Sequence, residues 1–173
     1  HKGRVLVLPI VSKYVSLVFQ PTDIVFMHKL CVFPDPRAST FLLLQSNLHE
    51  GWVRKFSSTL ETRLNYSPSD VFETFPFPPA DRLSALENIG EQYHETRRRI
   101  MLARQEGLTA TYNRFHNPDE TSADIQELRD LHREMDQAVA WAYGWDDLNL
   151  AHGFYDTNQG KRYTISEEAR REV

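Results

Sequence analysis

Cysteine is almost missing from this 173-residue chain: Cys31 stands alone. No internal disulfide is possible, and a reducing cytoplasm is the expected home. Cys31 itself reads as a small apolar strand residue. No apolar run approaches the ~18 residues of a membrane span. The opening HKGRVLVLPIVSKY lacks the apolar core and small-residue cleavage site of a signal peptide. All seven glycines are isolated, which excludes both GxxxxGK[ST] and GxGxxG. HExxH, CxxC and GxSxG are absent, and the seven histidines show no ligand spacing, so neither a zinc site nor a nucleophile elbow is expected. The pairs Pro34-Asp35 and Pro118-Asp119 lack the downstream acid-x-Lys of a metal-dependent nuclease. His94-Glu95 and His132-Arg133-Glu134 read as solvated helix surface. The expectation is a chain with no catalytic residue, no metal and no cofactor of its own. Because it begins at His1 and its final helix lacks an evident cap, it is also expected to be a piece of a longer protein.

What is present suffices for a core, since 40% of residues are hydrophobic and 12% aromatic, far from a disordered composition. Charge is unevenly spread. Residues 1–80 hold eight Lys/Arg against six Asp/Glu, and residues 81–173 hold twelve against eighteen. A basic nucleic-acid face therefore has room only in the first part. That part reads as β-rich. The runs 3–9, 13–19 and 23–33 are dense in β-branched and aromatic residues, and TFLLL (40–44) reads as a further short strand. QSNLHEGWVRKF (45–56) has helical spacing of Leu48, Trp52, Val53 and Phe56, and TRLNYS returns to an extended pattern.

From residue 81 the pattern is helical. Asp81 is placed to cap a helix with the stripe Leu83, Leu86, Ile89, Tyr93, Ile100 and Met101, stopped by Gly107. Arg97, Arg98 and Arg99 spread around it, and surface ion pairing with Glu91 and Glu95 is expected. The segment 107–121 reads as a loop. Thr121 or Ser122 caps a second helix with Ile125, Leu128, Leu131, Met135 and Val139 on one side. Two such stripes predict an antiparallel hairpin, and a last helix begins near Thr164 or Ser166. The fold class is thus α+β: a β-rich subdomain over 1–80, its N-terminal part missing, then a helical region over 81–173.

Between them lies YSPSDVFETFPFPPADRL (66–83). Pro68, Pro76, Pro78 and Pro79 stiffen it, and Phe72, Phe75 and Phe77 bring apolar area that must be buried. The segment should be packed down. It closely resembles the end of the target recognition domain in MmeI-like type IIG/IIL restriction–modification DNA adenine methyltransferases. The matching positions are Tyr66, Ser67, Phe72, Thr74, Phe75, Pro76 and Pro78. The preceding LLLQSNLHEGWVRKFSSTLETRLNYS is similar to that class's strand–helix unit. MDQAVAWAYGWDDL (135–148) resembles its closing helix through Asp136, Val139, Tyr143 and Gly144.

The resemblance implies a DNA sequence-recognition fragment of a larger S-adenosylmethionine-dependent methyltransferase or restriction enzyme. Catalytic and cofactor motifs would lie in the missing part. Asn117-Pro118-Asp119 lacks the second proline and aromatic of the catalytic motif, and FPFPP (75–79) lacks its acid or amide. The implied partners are double-stranded DNA and the missing methyltransferase domain, with no membrane. Candidate DNA contacts, chosen as the cations of the first part, are Lys13, Lys29, Arg37, Arg54 and Lys55. Trp52 reads as core rather than as a wedge between bases. Two other readings stay open: a protein-interaction module built on the helical hairpin, and a stand-alone enzyme.

Overall fold

A computed structural model describes residues 3–60 and 63–173, and shows an α+β fold. The chain opens with β1 (Arg4–Pro9), β2 (Val11–Ser12), β3 (Val18–Pro21) and β4 (Leu30–Phe33). One antiparallel sheet has the order β3-β1-β4, so β1 is central. Its Leu6, Val7 and Leu8 are all buried, as a strand covered on both faces requires. The apolar run 23–33 forms a strand only from Leu30, because residues 22–29 leave the sheet as an exposed loop.

The run TFLLL, expected as a strand, is helical. It lies in α1 (Ala38–Gln45), with every residue buried. An apolar run with no polar face fits a buried helix as well as a buried strand, and periodicity cannot separate them. The start of α1 is capped from far along the chain: the Glu87 carboxylate accepts from the Ala38 and Ser39 N–H groups at 2.9 and 2.8 Å. Burial opposes the charge on Glu87, but these bonds hold its pKa below the usual carboxylate value. In α2 (Asn47–Phe56), Ser46 is the N-cap and its Oγ accepts from His49 N–H at 3.2 Å. Strands β5 (Ser58–Leu60) and β6 (Arg63–Asn65) follow, and a second sheet has the order β2-β6-β5.

The proline–aromatic segment is packed down as expected. A wide helical turn over Pro68–Phe72 sets Phe72 against Phe33, with ring centroids 4.8 Å apart. Phe75 packs edge-on to His49 and Trp52. The Trp52 indole N–H donates to Val71 O at 3.2 Å, which makes Trp52 part of this cluster. The Tyr143 hydroxyl donates to Pro76 O at 2.6 Å and fastens the segment to the helices.

The helical part comprises α3 (Ala80–Ser84), α4 (Glu87–Arg104), α5 (Leu108–Phe115) and α6 (Ala123–Ala142). Segment 107–121, expected as a loop, contains α5, which buries Tyr112 and Phe115. Helices α4 and α6 run antiparallel, since Tyr93 meets His132, Arg99 meets Glu127 and Arg104 meets Asp124. Helix α4 ends at Gln105 in the left-handed region, φ 55°, and Gly144 follows α6 at φ 83°, where glycine is favoured. The chain closes with the hairpin β7 (Gly153–Thr157) and β8 (Gly160–Thr164), then α7 (Glu167–Glu172).

Buried side chains on both sides of residue 80 form one cluster, and a chain of polar groups runs through it. Arg97 is 2% exposed and donates to Leu17 O at 2.5 Å and to Gln45 Oε1 and the Tyr112 hydroxyl at 3.1 Å. The expected surface pairing of the arginine run thus holds only for its neighbours: Arg98 faces Glu95, and Arg99 faces Glu127. Glu91 pairs with Arg4 instead. His132, expected on the surface, is buried and bonded through Nδ1 to the Tyr93 hydroxyl at 3.0 Å. Asp136 is fully buried and accepts from Asn47 N–H at 2.8 Å, from the Asn47 side-chain amide at 2.7 Å, and from His152 Nε2 at 2.7 Å.

Candidate nucleic-acid interface

A surface suited to duplex DNA needs cations for phosphates and short polar side chains for base edges, held on a rigid support. The second sheet supplies such a support through its two-residue period. Val11, Asn65 and Ser58 stand opposite one another across β2, β6 and β5, so their side chains share one face. Arg63, two residues before Asn65, shares it too and is exposed. The Asn65 amide donates to Ser58 Oγ at 3.1 Å. The opposite face holds Leu64, which is buried. Leu64 packs on one face, and the other carries Val11 with polar groups.

Three of the five candidate cations, Lys29, Lys13 and Lys55, adjoin the strands of this sheet. Ile10 N–H donates to Lys29 O at 2.9 Å, and Ile10 O accepts from Tyr66 N–H at 2.7 Å, so Lys29 sits where β1 leads into β2. Its side chain is exposed at the end of the loop 22–29, whose Val25 is 98% and Met27 64% exposed. Lys13 follows β2 directly and donates to Asn113 Oδ1 at 2.9 Å, an oxygen that also accepts from the Tyr14 hydroxyl. Lys55 is exposed on the last turn of α2, three residues before Ser58.

The other two are set apart. Arg37 stands near the far end of β1, where Arg4 Nε donates to Pro36 O, and six strand residues put it roughly 20 Å from Lys29. It pairs with Asp35 through Nε at 2.9 Å. Arg54 turns toward Glu50, four residues back on α2, and the two form an ion pair. Burial would raise the Glu50 pKa, yet Arg54, His116 and Arg162 hold it down at about 2. Asn65 and Arg63 were not singled out from the sequence, although TRLNYS contains the signal: Leu64 fixes the buried parity, so its neighbours face outward.

Among the described residues, no group of three or more His, Cys, Asp or Glu side chains is placed to hold a metal. No helix among the described residues is long and apolar enough to cross a membrane. Gly90 is packed on Ala38, and Gly144 and Gly160 have positive φ.

Residues 2–79 match the family described as MmeI, target recognition domain. A solved structure of the Type IIL restriction-modification enzyme MmeI in complex with DNA is similar to this chain, with a TM-score of 0.68 and 24% identity. The likeness covers 84% of this chain and 19% of that one, so the chain spans about a fifth of the solved chain's length. No curated protein matches. The resemblance drawn from Tyr66 to Pro78 is thereby borne out.

Proposed function

With residues 2–79 matching the MmeI target recognition domain, we propose that this chain reads DNA sequence for a larger restriction–modification enzyme. Residues 1–80 are the reading unit, and residues 81–173 brace it. Transfer of a methyl group from S-adenosylmethionine to adenine belongs to a methyltransferase domain outside this chain, in a cytoplasmic enzyme. The residues here take no part in that chemistry.

One observation supports the reading most: the row Val11, Asn65 and Ser58, with Arg63, faces away from the core on strands that Lys13, Lys29 and Lys55 adjoin. The lysines would sit on phosphates and set the register, while Asn65, Arg63 and Ser58 present donors and acceptors to base edges. Arg37 and Arg54, already held by Asp35 and Glu50, would add less.

The test is retention of a random-sequence duplex pool on this chain at two salt concentrations, followed by sequencing. An enriched short motif, with retention falling steeply with salt, is the expected result. Retention without enrichment would leave only phosphate contacts. No retention at low salt would favour a protein-interaction module, for which a groove of about 480 Å³ between β3 and α4 offers an apolar wall of Val18, Phe19, Met101 and Leu102.

A further inference from the structure

The C-terminal hairpin β7–β8 and α7 fold back against α2 and line an open cavity of about 500 Å³, too large for a single bridging water. Its wall is unusually rich in arginine. Arg54 from α2, Arg162 from β8 and Arg170 from α7 all line it. Arg162 is 5% exposed, its guanidinium carbon stands 4.5 Å from the centre of the Tyr14 ring, and its Nε and Nη2 groups have no hydrogen-bond partner. Nη1 of Arg54 is likewise buried without a partner. Buried guanidinium N–H groups left unpaired are costly.

The surrounding acids do not resolve this. Glu50 offsets charge on Arg54 and Arg162 but forms its ion pair with Arg54 alone, and Glu167 pairs with Arg171. Asp156 at the rim is exposed, and Arg170 already donates to Ile165 O at 3.0 Å. His116, also in the wall, adds no charge: burial pushes its pKa down to about 3. Its Nδ1 accepts from Tyr163 N–H at 3.2 Å, so the neutral ring bears its proton on Nε2. The remaining wall feature is an opening. At Gly51, in the middle of α2, an added Cβ would meet nothing within 4 Å.

We propose that this cavity is an oxyanion site that takes a phosphate group, held by Arg162 and Arg54. A planar guanidinium matches phosphate oxygens in pairs, and a small turn of the Arg162 and Arg54 side chains toward an anion would pair N–H groups that the protein leaves covered and unbonded. The site does not depend on the DNA-reading proposal. Its phosphate comes either from a DNA backbone or from a free phosphate or small phosphorylated molecule.

The test titrates inorganic phosphate into the chain while following the arginine Nε–Hε signals by NMR and the heat of binding. Saturable binding with a shift of the Arg162 signal is expected. Arg162→Gln should weaken it at least tenfold, and Arg162→Lys should not restore it, because the ammonium lacks the fork. Gly51→Leu, which leaves both arginines in place and fills the opening, should also abolish binding while the chain stays folded. That variant decides the matter if Arg162→Gln fails to fold. No saturable shift at Arg162, or phosphate affinity unchanged from the parent in both Arg162→Gln and Gly51→Leu, overturns the proposal. A short duplex then replaces phosphate. Displacement of bound phosphate by the duplex makes the DNA backbone the source. Duplex binding that leaves the Arg162 signal untouched, or no duplex binding at all, makes it a free phosphate; the second outcome counts against the DNA-reading proposal alone.

Discussion

Replacing glycine by alanine should have opposite effects at two helical positions of this protein. Gly51 and Gly90 both lie inside helices, α2 and α4, where alanine is intrinsically better by about 0.8–1.0 kcal/mol. At Gly51 the new methyl group would meet nothing within 4 Å, so the helical gain should appear almost in full, and Gly51→Ala should stabilise by about 0.5–1 kcal/mol. At Gly90 the methyl carbon would stand 2.2 Å from Ala38 O and 2.6 Å from Ala38 C. Both are backbone atoms of α1, whose residues are all buried, so α1 cannot yield without moving the core. Overpacking of this kind costs typically 1–3 kcal/mol and sometimes more. Displacing α1 would also loosen the Glu87 bonds to Ala38 and Ser39, each worth about 1.5–3 kcal/mol as charge-assisted hydrogen bonds. Gly90→Ala should therefore destabilise by about 2 kcal/mol or more, despite the better helix former. Urea unfolding of the parent and both variants, followed by fluorescence and circular dichroism, gives the two values. Shifts of the same sign, or a Gly90→Ala variant as stable as the parent, would refute the claim that α1 and α4 are in backbone contact there.

Three further outcomes are expected. Asp136→Ala should cost about 3–5 kcal/mol, because it strands the Asn47 N–H, the Asn47 amide and His152 in the core; a urea midpoint within error of the parent would contradict the network. Stability should fall as pH drops below about 6.5, and the sign follows from three groups. Burial lowers the His49 pKa to about 4 and the His116 pKa to about 3, so the unfolded chain takes up protons first on acidification, and the stability they confer is fully present only above pH 6.5. Glu50, held at about 2, acts in the same direction between pH 4.5 and 2; unfolding midpoints that stay flat from pH 7 to 4 would rule this out. Finally, Lys29→Ala and Lys55→Ala should each lower the salt dependence of duplex binding by about 0.9 in the log–log slope, and unchanged slopes would remove those lysines from the interface.

The parts of the fold that were legible in the sequence are those with a marked period or cap. Helix α2 showed itself through Leu48, Trp52, Val53 and Phe56, α6 through its stripe from Ile125 to Val139, and α7 through Ser166, whose Oγ accepts from Ala169 N–H at 3.1 Å. TFLLL hid its helix because it has no polar face, and α5 was masked by the Gly, Asn and Pro residues flanking it. Arg97 looked like one of three surface arginines, since Leu17 and Gln45, its partners, lie 80 and 52 positions away. The candidate interface was partly visible for the same reason. Composition can nominate Lys13, Lys29, Arg37, Arg54 and Lys55, but the register of β1 decides which end of the sheet each one occupies. The arginine cavity was out of reach, because α2 and the β7–β8 hairpin are about a hundred residues apart in the chain.

The second sheet has a consequence for how such a protein can change. Leu64 anchors it from beneath, while Val11, Arg63, Asn65 and Ser58 face away from the core. Outward side chains can therefore be exchanged, one alternate position at a time, with little effect on folding. A single inserted residue would exchange the two faces and bury that outward row. If this face reads DNA as proposed, substitution is the open route to a new target sequence, and insertion within these strands the closed one.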